Sequence, residues 1–185
     1  MILYHAGFKT IKEPDIHYGR KNADFGQGFY LTSEEEFANR WAGERKGEET
    51  IVNTYELDTD GLVIKQFNRD KEWFEYIYGN RNGKADTLSA DVIMGPIAND
   101  IIYNTNGIVT SGFLTPDEAM QVLMVGPEYR QITIKTEKAV GQLKWLDSKV
   151  LSHEEMAGYK ETLTAEEADY QKLLSEKLEE LLGED

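Results

Sequence analysis

Cysteine is absent from the 185 residues, which removes disulfides, thiolate nucleophiles and zinc–cysteine sites from consideration. Histidine is nearly absent too. His5, His17 and His153 are scattered, without the paired spacing a metal site needs, so the expectation is no bound metal. No apolar run approaches the roughly 18 residues of a membrane span, and no basic segment or cleavage signal precedes Ile2-Leu3-Tyr4. A cytoplasmic product without membrane partners is therefore expected. Basic residues are outnumbered: 20 Lys and Arg face 34 Asp and Glu, for a net charge of −14. That excess argues against nucleic acid as a bulk-charge partner, although a local basic patch stays compatible with it. There is no internal repeat, low-complexity tract or linker, and neither a Gly-x-Ser-x-Gly nor a P-loop pattern occurs.

What remains is the composition of an ordinary globular chain, 40% hydrophobic and 29% charged, long enough to bury one core. Strands are expected at Met1 to His5, Val52 to Leu57, Leu62 to Ile64, Asp91 to Gly95, Tyr129 to Lys135 and Leu143 to Leu146, from alternation or short apolar runs. The Asp58 to Gly61 turn suggests that the second and third of these form a hairpin. Helices are expected from Asp70 to Tyr78, closed by a polar loop at Asn80 to Lys84, and from Thr115, where Pro116 and Glu118 complete a start signal. A short one begins at Thr136. Asp91 and Asp100 flank the Gly95-Pro96 stop and read as surface or turn caps, with Asp100 also a candidate for facing a cleft.

The end of the chain differs in character. From Asp147 to Asp185 twelve acids face four lysines, which accounts for eight of the fourteen net negative charges. Ser152 starts one helix and Thr164 with Glu167 signals another, whose Tyr170, Leu173, Leu174, Leu178, Leu181 and Leu182 keep helical spacing. Such a stripe packs on its own domain or enters the groove of a protein partner. Strands and helices interspersed without βαβ regularity give an α+β fold. The division expected is a main domain over 1–147 and an acidic helical extension over 148–185, packed on it.

The chain is organised around Asp24-Phe25-Gly26-Gln27-Gly28-Phe29-Tyr30-Leu31-Thr32-Ser33. Two glycines before Phe-Tyr-Leu-Thr read as a tight turn feeding a short strand. Ser33 and Glu36 have the form of a capping box, after which Phe37, Ala38, Trp41 and Ala42 share a helical face. Tyr30 and Trp41 then lie on one side of a cleft.

Taken together, Tyr4-His5-Ala6-Gly7, the Phe25 to Tyr30 segment, Trp41 eleven positions beyond Tyr30, and Gln131 at a late strand resemble the ADP-ribosyltransferase superfamily. The likeness is to its poly(ADP-ribose) polymerase branch and to small bacterial domains of that type, and it covers Tyr4 to about Trp145. It implies split antiparallel sheets with flanking helices and NAD as substrate. It also implies nicotinamide clasped between Tyr30 and Trp41, His5 on a hydroxyl of the adenosine ribose, and the Ala6 backbone on the carboxamide. Gly28 would permit close approach, and Arg20 is the nearest candidate for the pyrophosphate. Tyr30 and His5 count as catalytic beside Gln131, which stands where the polymerases carry a glutamate, so chain elongation is not expected. The function implied is transfer of a single ADP-ribose to a macromolecular acceptor, as by a toxin-like or phage-borne effector. The alternative is a weakly active or inactive module of the same fold that binds NAD, ADP-ribose or a partner.

Overall fold

Residues 1–102 and 112–183 are described in a computed structural model of the chain. In order the elements are β1 (Ile2–Gly7), β2 (Phe29–Leu31), α1 (Glu35–Trp41), β3 (Ile51–Leu57), β4 (Ile64–Gln66), α2 (Lys71–Arg81) and β5 (Val92–Pro96). There follow α3 (Asn99–Ile102), α4 (Pro116–Leu123), β6 (Arg130–Ile134), α5 (Glu137–Gly141), β7 (Leu143–Val150) and α6 (His153–Leu182). The fold is mixed α+β. Among the described residues, no helix is long and apolar enough to cross a membrane.

The strands form two sheets, ordered β1-β3-β7 and β2-β6-β5-β4. The first is antiparallel throughout; in the second, β4 runs parallel to β5. Among the described residues the sheets are joined by one isolated bridge, in which Tyr4 and Thr32 exchange backbone hydrogen bonds of 2.8 and 3.0 Å. Alternation along the short β2 explains its double duty. Phe29 and Leu31 join Leu3, Tyr55, Ile132 and Ile134 in one buried cluster, and Tyr30 turns to the other face, against a cluster built on Phe25, Trp73, Ile93 and Leu123.

Four local expectations need correction. The expected hairpin is split between sheets: β3 is held by β1 and β7, whereas the Val63 N–H goes to Asp91 Oδ2 at 2.8 Å and β4 starts at Ile64 beside β5. The Ser33–Glu36 box does not form. Glu34 is the N-cap of α1, and its N–H is taken by Thr32 Oγ1 at 3.2 Å, a buried hydroxyl that also donates to the Arg130 carbonyl. Helix α2, capped by Asp70, continues through Asn80 and Arg81, since those side chains find buried partners. Thr164 caps nothing, because α6 is a single helix of 30 residues in which its hydroxyl donates to the Lys160 carbonyl at 2.8 Å. The capping boxes at Thr115 and Ser152 do form.

Candidate functional site

Where the sheets diverge beyond the Tyr4–Thr32 bridge, the surface opens into a cleft of about 270 Å³. Its floor and walls include Tyr4, His5 and Ala6 from β1, Tyr30 from β2, Phe37, Ala38 and Trp41 from α1, Ile97, and Gln131 from β6. A second, wider cleft of about 590 Å³ shares Tyr30, Trp41, Ile97 and Gln131 with the first and extends along Tyr18 to Asp24 to reach Arg81. The two adjoin at these four shared residues, with volumes near the range of about 300–1,000 Å³ common for ligand sites.

Each lining group is held by a specific local cause. His5 Nδ1 lies 2.8 Å from the Tyr30 carbonyl. A carbonyl only accepts, so Nδ1 carries the proton and Nε2 of the neutral ring is left as an acceptor. Burial lowers the His5 pKa, with the bond to Tyr30 opposing, so the ring is held neutral. The Tyr4 N–H and carbonyl face Thr32, so by the alternation of an antiparallel ladder the Ala6 N–H and carbonyl face the same edge, two residues further on, at the cleft.

The Tyr30 phenol is already committed. Its hydroxyl donates to the Gly26 carbonyl at 2.7 Å and accepts from the Phe25 N–H at 3.0 Å, which folds the glycine turn back over the ring. Burial, with Asp24 adding to it, raises its pKa well above that of an ordinary phenol. Its contribution to the cleft is therefore its ring face and not its acidity, a narrower role than catalysis. Trp41 is 41% exposed at the C-terminal end of α1, in tilted contact with Phe37 at 5.4 Å, and Phe37 stacks on Tyr129 at 4.6 Å.

Gln131 is 5% exposed, yet its Nε2 has no hydrogen-bond partner among the described residues. An unpaired buried amide donor costs about 1–3 kcal/mol, a cost that a ligand acceptor in the cleft would relieve. Arg20 lines the wider cleft and is exposed. Gly28 lines neither cleft. A Cβ there would meet Ile134 O and Thr133 Cγ2 at 2.6 Å, so its missing side chain lets β6 approach.

Of the two flanking aspartates, Asp91 is a cap, taking the Val63 N–H and the Thr136 hydroxyl. Asp100 is fully buried and receives a bidentate pair from Arg81 at 2.8 and 3.0 Å, while Arg81 Nε donates to Asp24 at 2.7 Å. Sequence reasoning missed this cluster because it ended α2 too early. The signal was present: continuing the helical face through Trp73, Phe74 and Ile77 reaches Asn80 and Arg81.

Fold and cleft thus define an α+β domain with an aromatic cleft, lined by the Gln131 amide, between two bridged sheets. The chain belongs to the DUF3990 family, described as proteins of unknown function, whose model matches residues 1–145. No curated protein matches the chain.

Proposed function

We propose that the protein is an NAD-dependent mono-ADP-ribosyltransferase of ADP-ribosyltransferase-like fold, acting in the cleft between Tyr30 and Trp41. The observation that carries this reading is the convergence of His5, Ala6, Tyr30, Trp41 and Gln131 on one cleft from sequence positions up to 126 apart, with the Gln131 amide N–H unpaired. In this reading the nicotinamide ring lies between the Tyr30 and Trp41 faces, where stacking and cation–π attraction contribute about 1–2 kcal/mol. The outward Ala6 backbone groups hold its carboxamide, His5 Nε2 accepts from a hydroxyl of the adenosine ribose, and exposed Arg20 meets the pyrophosphate.

The bond between ribose C1′ and the pyridinium nitrogen breaks, and its electron pair neutralises the ring as it leaves. The acceptor's lone pair closes on C1′, and the acceptor's proton passes to solvent. Gln131 hydrogen-bonds the nicotinamide ribose and holds C1′ in line, without supplying charge. Donation of one unit, not chain growth, fits an amide at this position.

The test is nicotinamide release from NAD by the parent chain and by Trp41→Ala and Gln131→Ala. Release is expected from the parent. Trp41→Ala should raise KM about tenfold, the equivalent of about 1.4 kcal/mol, and Gln131→Ala should lower kcat. Turnover unchanged in both variants would place the chemistry elsewhere, and NAD binding without release would make the domain a binding module.

A further inference from the structure

The buried wall of the wider cleft holds an unequal count of charges. Arg81 is clamped by Asp24 and Asp100, the three side chains being 12%, 8% and 0% exposed. Two carboxylates against one guanidinium leave one net negative charge away from water. The stretch 103–111 contains no Lys, Arg or His, so it brings no cation to cancel that excess. Lys135 is engaged by Asp86 at 3.2 Å and by the Phe25 carbonyl at 2.5 Å. Arg20, the other cation lining this cleft, is exposed, where water and salt screen it.

This charge sits close to the aromatic clasp. Asp24 immediately precedes Phe25 and Gly26, the two residues whose backbones grip the Tyr30 hydroxyl, and Asn80 Nδ2 fixes the Asp24 carbonyl at 2.9 Å. Asp24 and Arg81 line the same cleft as Tyr30, Trp41 and Gln131. After burial, Asp24 is the main influence raising the Tyr30 pKa, so its field reaches that ring. Both Asp100 oxygens accept from Arg81, and a guanidinium has only donors to offer. Gln131, which lines the same cleft, keeps a buried side-chain N–H without a partner among the described residues.

We propose that the Asp24–Arg81–Asp100 cluster makes this cleft selective for a positively charged planar ring and supplies the negative field for a cationic sugar centre that neutral Gln131 does not. The inference rests on the NAD-cleaving reading and gives it a charge source on a different element from Gln131. A carboxylate within the cleft wall, held by a guanidinium that is itself over-neutralised, favours a cation over its neutral counterpart and pays no reorganisation when charge develops.

The probes are nicotinamide, which is neutral, and 1-methylnicotinamide, whose methylated ring nitrogen carries the charge at the atom bonded to ribose in NAD. Equilibrium binding of both is measured on the full chain and on D24N and D100N, each isosteric: the amide at 24 keeps its oxygen on Arg81 Nε, and the amide at 100 keeps one of its two bonds to the guanidinium. The parent should bind the cation roughly tenfold more tightly than the neutral ring, about 1.4 kcal/mol. Both variants should bring that ratio towards one while leaving nicotinamide affinity in place; mere loosening would weaken both ligands together. A ratio of one in the parent, which needs no variant, overturns the charge role and leaves the NAD reading standing, as does an unchanged ratio in either variant that retains the parent's unfolding midpoint. Failure of the parent to bind either ring overturns the NAD reading itself and the charge role with it.

Discussion

Gly28 and His5 show how single residues set the cleft from behind. The Gly28 position faces Ile134 O and Thr133 Cγ2 at 2.6 Å, and one of these is backbone that cannot rotate aside. Gly28→Ala should therefore destabilise by about 1–3 kcal/mol, as overpacking does, read as a lower denaturant midpoint; a midpoint unchanged from the parent would mean that β2 and β6 have slack here. For His5 the prediction is one of pH. Its folded pKa is depressed by burial, so below about 6.5 the unfolded chain takes up a proton that the folded one refuses, and stability falls as pH falls. The limiting slope is about 1.4 kcal/mol per pH unit, reached only below 6.5 and lost once the folded ring protonates. Unfolding free energies from pH 7 to 5 should show this decline in the parent and not in His5→Gln. Glu155, whose pKa is lowered to about 2 by Lys149 and Ser152, titrates below this window and does not mask it.

At the scale of elements, the long helix α6 is the clearest case for a discriminating substitution. If Thr164 began a second helix, replacing it with Ala would cost about 1 kcal/mol of capping. Because its hydroxyl instead bonds back to Lys160 inside a continuous helix, Thr164→Ala should stabilise by roughly 0.5 kcal/mol, the difference in helix propensity. The thermal midpoint gives the sign directly. The same residue marks what the sequence disclosed and what it did not. Strong local signals were readable: the Thr115-Pro116 start, the β5 run ended at Gly95-Pro96, and the alternating β6 all stand near their expected places. Non-local choices were not. Val52–Leu57 and the strand after it sit in different sheets because Asp91, 28 residues beyond Val63, captures its N–H, and no period in the sequence records that pairing. Ser33 does not cap α1 for a similar reason: Glu34 stands at the N-cap with its N–H on the Thr32 hydroxyl, which donates to the Arg130 carbonyl 98 residues away. For the cleft, His5, Ala6, Tyr30, Trp41 and Gln131 of the narrower half were nominated from sequence, whereas its Ile97 wall and the Asp24–Arg81–Asp100 clamp were not, the clamp requiring that α2 runs one turn further.

The whole molecule depends on how α6 meets the rest. The family match ends at residue 145, before this helix begins, yet Tyr170 and Leu174 belong to the same buried cluster as Phe25, Trp73 and Leu123, and Met156 closes another with Ala38 and Val52. Burial of side chains such as Leu174 and Met156 stabilises by about 1.5–3 kcal/mol each, and the Tyr170 ring adds more. Their sum is comparable to the roughly 5–15 kcal/mol by which a domain is stable at all. The helix also reaches the cleft. Glu166 pairs with Arg40 of α1 and accepts from the Tyr129 hydroxyl at 2.9 Å, and Tyr129 in turn stacks on Phe37 beside Trp41. A chain ending at Leu151 should therefore unfold at a markedly lower temperature, bind a dye for exposed apolar surface, and lose affinity for any ligand clasped by Trp41. Glu166→Ala in the full chain should separate the two effects: it keeps the core contacts of Tyr170 and Leu174, leaves Arg40 without its carboxylate at a cost of roughly 1–3 kcal/mol, and loosens the Trp41 wall. A truncated chain with the parent's midpoint would show that α6 merely lies on the domain. Ligand affinity untouched by Glu166→Ala would show that the aromatic wall stands without it.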